Sequence, residues 1–172
     1  MHKLQEFLES GTLGPVVIGL SPVEVQKRLG EPQDVGGTPK HRIWKYGSMQ
    51  LGFQRNKETR SEAVSFIGLY FRDENLTLPE AVRPEGWFPS QRTMKRVFVR
   101  YLEEQGLAYT EDKDLSFETQ SALTTSSGAH VIFDCSEGEV ILDSIQLLCE
   151  PKAAGQCQKM QSHATESSAY AG

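Results

Sequence analysis

The run Ser21-Pro22-Val23-Glu24, closed by Gly30 and Pro32, constrains this chain more than any other stretch. Ser21 can accept from the exposed N–H groups of a first helical turn. Pro22 loses nothing at the first helical position, and Glu24 can reach back to complete a capping box. Val25 and Leu29 stack one turn apart, Gly30 ends the helix, and Pro32 prevents its resumption. A helix this short is not stable alone. It has to pack against something, and the following residues supply strands.

In "HRIWKYGSMQLGFQ", Met49, Leu51 and Phe53 alternate with Ser48, Gln50, Gly52 and Gln54, and Gly47 marks the turn between two strands. "AVSFIGLYF" adds a third strand with Ile67, Leu69 and Phe71 on one face. A short amphipathic helix with Leu4, Phe7 and Leu8 on one side precedes all of this. The order predicts an antiparallel meander with its apolar face against the helices.

The pattern then returns. After a proline-rich connector with a short turn near 79–82, Met94, Val97, Phe98, Tyr101 and Leu102 form a helical stripe decorated by Arg92, Lys95, Arg96 and Arg100. Strands are expected from Leu115 and Phe117 onward, through Val131 and Phe133, and from Val140 to Cys149, with a hairpin at "SEGE". "YGSMQLGFQ" resembles "SSGAHVIFDC", and "SFIGLYF" resembles "DSIQLLC": Gly47 matches Gly128, Phe53 matches Phe133, and Ile67 and Leu69 match Ile145 and Leu147. The expected fold is α+β: two similar units, each of short helices packed on a three-stranded antiparallel meander. Residues 1–74 form the first unit and 75–150 the second. Residues 151–172 are small, polar and unpatterned, and are expected to be a disordered tail.

With 172 residues the chain can bury a core without disulfides or metal. Its net charge of -5 argues against nucleic acid as a partner. No apolar run approaches the roughly 20 residues of a membrane span. The acidic start "MHKLQEFLESG" is unlike a signal peptide, so the expected location is the cytoplasm. The three cysteines, Cys135, Cys149 and Cys157, form no CxxC pair and suit a reducing compartment.

The stretch "IGLSPVEVQKRLGEPQ", ending in Leu29-Gly30-Glu31-Pro32 and followed by "WKYGSMQLGF", resembles the helix-plus-sheet unit of the small outer-membrane-assembly lipoproteins and of the tandem-repeat beta-lactamase inhibitor proteins. The likeness covers Ile18–Phe71 and, more faintly, Arg92–Leu148. The chain differs from that group in not carrying a pair of cysteines within each unit. The resemblance implies two tandem units whose sheets present a surface to a protein partner.

Catalytic and metal motifs are missing. His2, His41, His130 and His163 form no HExxH or His-x-His arrangement. The expected function is a non-catalytic protein-binding module without cofactors, an immunity or inhibitor protein acting stoichiometrically on a toxin or enzyme. The rival readings are a small enzyme using the His130, Asp134 and Asp143 region, and an intracellular scaffold or sensor. Large aromatics carry the expected interface. Trp44 and Tyr46 share one side of their strand, and Phe66 and Tyr70 lie opposite the Ile67 and Leu69 face. Trp87 and Phe88, just before a helix, make a second patch.

Overall fold

Ser21 does cap the helix that follows it. In the computed structural model its Oγ accepts from the Glu24 N–H at 3.3 Å, and its own N–H donates to Glu24 Oε2 at 2.9 Å. Gly30 closes the helix at a φ of 81°. The structure describes residues 3–56 and 59–149, so the expected tail at 151–172, with Cys157, lies outside the described residues.

Three helices, α1 (Lys3–Ser10), α2 (Pro22–Leu29) and α3 (Lys95–Glu104), accompany eight strands. The strands are β1 (Asp34–Thr38), β2 (His41–Tyr46), β3 (Met49–Arg55), β4 (Glu62–Tyr70), β5 (Tyr109–Glu111), β6 (Gln120–Thr125), β7 (His130–Asp134) and β8 (Ile141–Leu148). One turn of 3-10 helix, Glu80–Val82, falls in the proline-rich connector where a short turn is expected.

The strands form a single antiparallel sheet in the order β1-β2-β3-β4-β8-β7-β6-β5. The chain is therefore α+β and mostly sheet. The expected three-stranded meanders are corrected to four strands on each side of one continuous sheet. The two strands absent from the expectation are the edges. "DVGGT" of β1 has no apolar alternation and every residue of it is exposed; β5 has only three residues. Edge strands bury little, so they leave little hydrophobic signature. Leu115 and Phe117 lie in a loop, because β6 begins only at Gln120.

One face of the sheet is covered by the helices, and its core is continuous. Met49, Leu69, Ile145, Val131 and Leu123 form an unbroken row of partners across five strands. They pack with Leu4, Phe7 and Leu8 of α1, Val25 of α2, and Phe98, Tyr101 and Leu102 of α3. Val97 leaves the expected stripe and faces solvent.

The two meanders repeat several irregularities. Register slips between Gly52 and Phe53 against β4, and between Ile132 and Phe133 against β8. Beyond each slip Phe53 faces Val64, and Phe133 faces Leu142. The backbone entering a helix then pairs with that same residue: Val64 N–H donates to the Leu20 carbonyl, and Leu142 N–H to the Thr93 carbonyl, each at 2.8 Å. Gly47 and Gly128 hold positive φ in the β2–β3 and β6–β7 turns. At Gly47 a side chain is also sterically barred, since a Cβ there would come within 2.4 Å of Thr77.

Candidate functional site: the open face of the sheet

The face opposite the helices carries no helix among the described residues, and only at its β6–β7 end does the loop after β5 tie onto it through Asp112. Its residues fall in three rows set by strand register. Ile43, Gly52, Phe66 and Leu148 make one row, and Tyr70, Ser144, Ile132 and Ala122 make another. Between them runs a polar row of Lys45, Gln50, Gly68, Gln146, His130 and Thr124. Two rows that carry the large apolar and aromatic side chains thus flank a polar one.

Glycine shapes the centre. A Cβ on Gly68 would lie 2.6 Å from Phe66 Cζ and 3.0 Å from Tyr70 Cε2, and one on Gly52 would lie 2.9 Å from Phe66 Cβ. Both rings therefore lie down on backbone that has no side chain to lift them. Burial leads the causes that raise the Tyr70 hydroxyl pKa, so the phenol stays neutral. The Arg72 guanidinium sits 5.9 Å from the Tyr70 ring and holds Asp143 through contacts of 2.6 and 3.1 Å. Ser144 is fully buried between Tyr70 and Ile132; its hydroxyl donates to Asp143 Oδ2 and accepts from Gln146 Nε2, each at 3.0 Å. The centre is thus fixed by packing and hydrogen bonds, while Ile43 and Leu148, the latter 50% exposed, stand at its margin.

The sequence-expected residues separate into three groups. Tyr70 lies on the open face, as its strand position requires. Trp44 and Tyr46 do not: they are 7% and 4% exposed, on the helix-covered side. Trp44 packs on Phe53 with ring centroids 4.6 Å apart, and the Tyr46 hydroxyl donates to the Gly30 carbonyl at 3.0 Å. The expectation of an open aromatic surface there is corrected, because α2 ends over this part of the sheet. Trp87 and Phe88 face different neighbours. Trp87 stacks on Tyr101 of α3 at 4.2 Å, and Phe88 packs half-buried near Phe71 at 5.9 Å. Neither joins Tyr70, since α3 is on the other side of the sheet.

Ile43, Ile132 and Leu148 are not among the residues the sequence reading places at an interface. Their signal was the alternation itself, which places each of them out of phase with the core residues of its strand.

Asp134 and Asp143 line a shared surface pocket with Arg72, but His130 is not brought to them. His130 Nδ1 meets Asp112 Oδ2 at 3.1 Å, and Thr124 Oγ1 donates to the same oxygen at 2.8 Å. Asp143 is held by Arg72, while Asp134 accepts from the Ser136 N–H at 2.8 Å. The Thr124 hydroxyl, first among several hydrogen bonds, holds the Asp112 carboxyl below its ordinary pKa. Asp112 also accepts from the Asp114 and Leu115 N–H groups, so the cluster ties a loop to the sheet. Among the described residues no group of three or more His, Cys, Asp and Glu is placed to hold a metal ion. No helix among them is long and apolar enough to cross a membrane.

In comparisons with known proteins, the chain matches no family model, no curated protein and no solved structure.

Proposed function

We propose that this chain is a non-catalytic protein-binding module that acts by stoichiometric contact through the open face of its sheet. The observation that carries the reading is the pair of aromatic rings, Phe66 and Tyr70, laid over Gly68 on a face without a covering helix. A rigid surface loses little freedom on binding, and interface energy concentrates in a few large side chains. The apolar margin at Ile43, Ile132 and Leu148 supplies the ring of contacts that excludes water from such a centre. The sharpest version is a cytoplasmic immunity or inhibitor protein whose target is a toxin or enzyme. The resemblance of the Leu29-Gly30-Glu31-Pro32 helix end and its following strands to the inhibitor unit supports that version.

We further read the sheet as two similar units of four strands each, joined through β4 and β8. The matched register slips at Phe53 and Phe133, and the matched helix-entry bonds at Val64 and Leu142, support duplication.

The experiment is capture from the native host's lysate with immobilised wild-type chain beside Tyr70→Ala and Leu148→Asp. The reading requires a protein retained at one-to-one stoichiometry by wild type and lost by both folded variants. A hot-spot truncation at Tyr70 should weaken that complex by about 2 kcal/mol, roughly 30-fold. If both variants hold the partner as wild type does, the open face is not the site. Inhibition is then read directly, as loss of the captured partner's activity in the complex.

A further inference from the structure

Helices α2 and α3 carry opposite charge arrangements. In α2, Glu24 lies in the first turn and Lys27 and Arg28 in the last, which complements the helix dipole. In α3 the order is reversed. Lys95 and Arg96 open the helix, Glu103 and Glu104 close it, and no acidic residue lies in the first turn. Lys95 is neutralised by Glu111 at 2.9 Å. Arg92, Arg96 and Arg100 are exposed and make no ion pair or hydrogen bond among the described residues. The chain as a whole has a net charge of -5, so these cations do not merely follow its composition. Unpaired cations at the positive end of a helix act against the stability of the free chain. Such local conflicts concentrate where a surface serves something outside the fold.

Apolar surface adjoins the cations. Arg96 and Arg100 form one row along α3, and helical geometry places the Val97 and Tyr101 row beside it. Val97 is 42% exposed. Trp87, 39% exposed, lies flat on Tyr101 at 4.2 Å with an interplanar angle of 28°. The hydroxyl of this Tyr101 is buried with no hydrogen-bond partner. An orphaned buried hydroxyl is unfavourable, so the packing around Tyr101 is costly for the isolated chain.

We propose that Trp87, Val97, Arg96 and Arg100 form a second interaction surface, which takes an acidic polypeptide segment carrying an apolar side chain. The apolar side chain packs on Trp87 and Val97. Its flanking carboxylates receive the guanidinium groups, whose planar forks suit carboxylate oxygens. This surface is on the helix side of the sheet, opposite Tyr70, and it stands or falls separately from the reading of the open face.

The probe is a fluorescent twelve-residue peptide of Asp and Glu around a central Phe, titrated with the full chain. Controls are the same peptide with Lys for every acid, a single-stranded oligonucleotide, and vesicles containing anionic lipid. The acidic peptide should bind, lose affinity as salt rises, and bind at least tenfold more weakly to Arg100→Glu and to Trp87→Ala. Tyr70→Ala should leave its affinity unchanged. Arg96→Glu should weaken the peptide similarly while raising Tm, since it restores an acid to the first turn of α3. Equal binding of the acidic and Lys peptides would overturn the proposal. So would preference for the oligonucleotide or the vesicles, or unchanged affinity in Arg100→Glu.

Discussion

Phe66 lies across Gly68, so close that a methyl on the glycine would touch the far end of the ring at 2.6 Å. Glycine inside a strand costs roughly 0.5–1 kcal/mol relative to alanine. The chain accepts that cost where two rings lie flat. In Gly68→Ala the added methyl should lift the Phe66 and Tyr70 rings while improving the strand's backbone preference. These effects oppose each other, so Tm should move by only a few degrees. The near-UV circular dichroism of the aromatic residues should change clearly. An unchanged spectrum would mean that the rings do not rest on Gly68.

Tyr46 and Gly30 join β2 to the end of α2 through a 3.0 Å hydrogen bond. Tyr46→Phe should cost about 1 kcal/mol, the usual worth of one such bond. Burial, with a smaller contribution from Glu31, pushes the Tyr46 pKa up to about 12. The unfolded value is about 10. Because the folded value is raised, this contribution is whole below about pH 10 and is lost as pH rises through about 12. Denaturant melts of wild type should therefore weaken across that window more steeply than melts of Tyr46→Phe.

At Ser21 the sign is reversed. The Ser21 N–H, with its hydroxyl next, holds Glu24 below its ordinary value of 4.5. Stability from this box is present above that value and lost as pH falls through the lowered one. Ser21→Ala should cost about 1 kcal/mol at neutral pH, and its disadvantage should narrow in acid. A constant gap between the two proteins from neutral to acid pH would show that the Ser21 hydroxyl does not help to hold the Glu24 carboxylate.

Which features were legible follows from what each residue contributes to burial. The Ser21 cap, the Gly30 stop and the inward alternation of Leu51, Ile67 and Val131 are local signals, and all three are present in the fold. Edge strand β1 was missed because Gly36 and Gly37 pair by backbone alone, and β5 because its three residues are too few to alternate. The site was half legible for a different reason. Alternation assigns Trp44 and Tyr70 to opposite faces of the sheet, but only the packing of α2 and α3 decides which face is closed. Trp44 even leaves its Nε1 without a hydrogen-bond partner in the core, an outcome that residue type argues against.

The closing prediction concerns how the halves hold together. The chain has two tryptophans. Trp44 belongs to β2 in the first half, and Trp87 rests on α3 in the second. Between them β4 pairs with β8 over five residues, from Phe66 opposite Leu148 to Tyr70 opposite Ser144. Ile67 and Leu69 face Leu147 and Ile145 there, all buried in one core. Separating the halves would expose that row to water, at about 1.5–3 kcal/mol for each large apolar side chain. Neither half should therefore survive the loss of the other. Trp44→Phe leaves Trp87 as the sole reporter, and Trp87→Phe leaves Trp44. Within each variant, the melting curve from tryptophan fluorescence should coincide with that from far-UV circular dichroism, in a single transition. Leu69→Ala should lower both tryptophan midpoints together, by the equivalent of about 2–5 kcal/mol. A lowered midpoint at Trp44 with an unmoved one at Trp87 would mean that the two meanders fold as separate bodies.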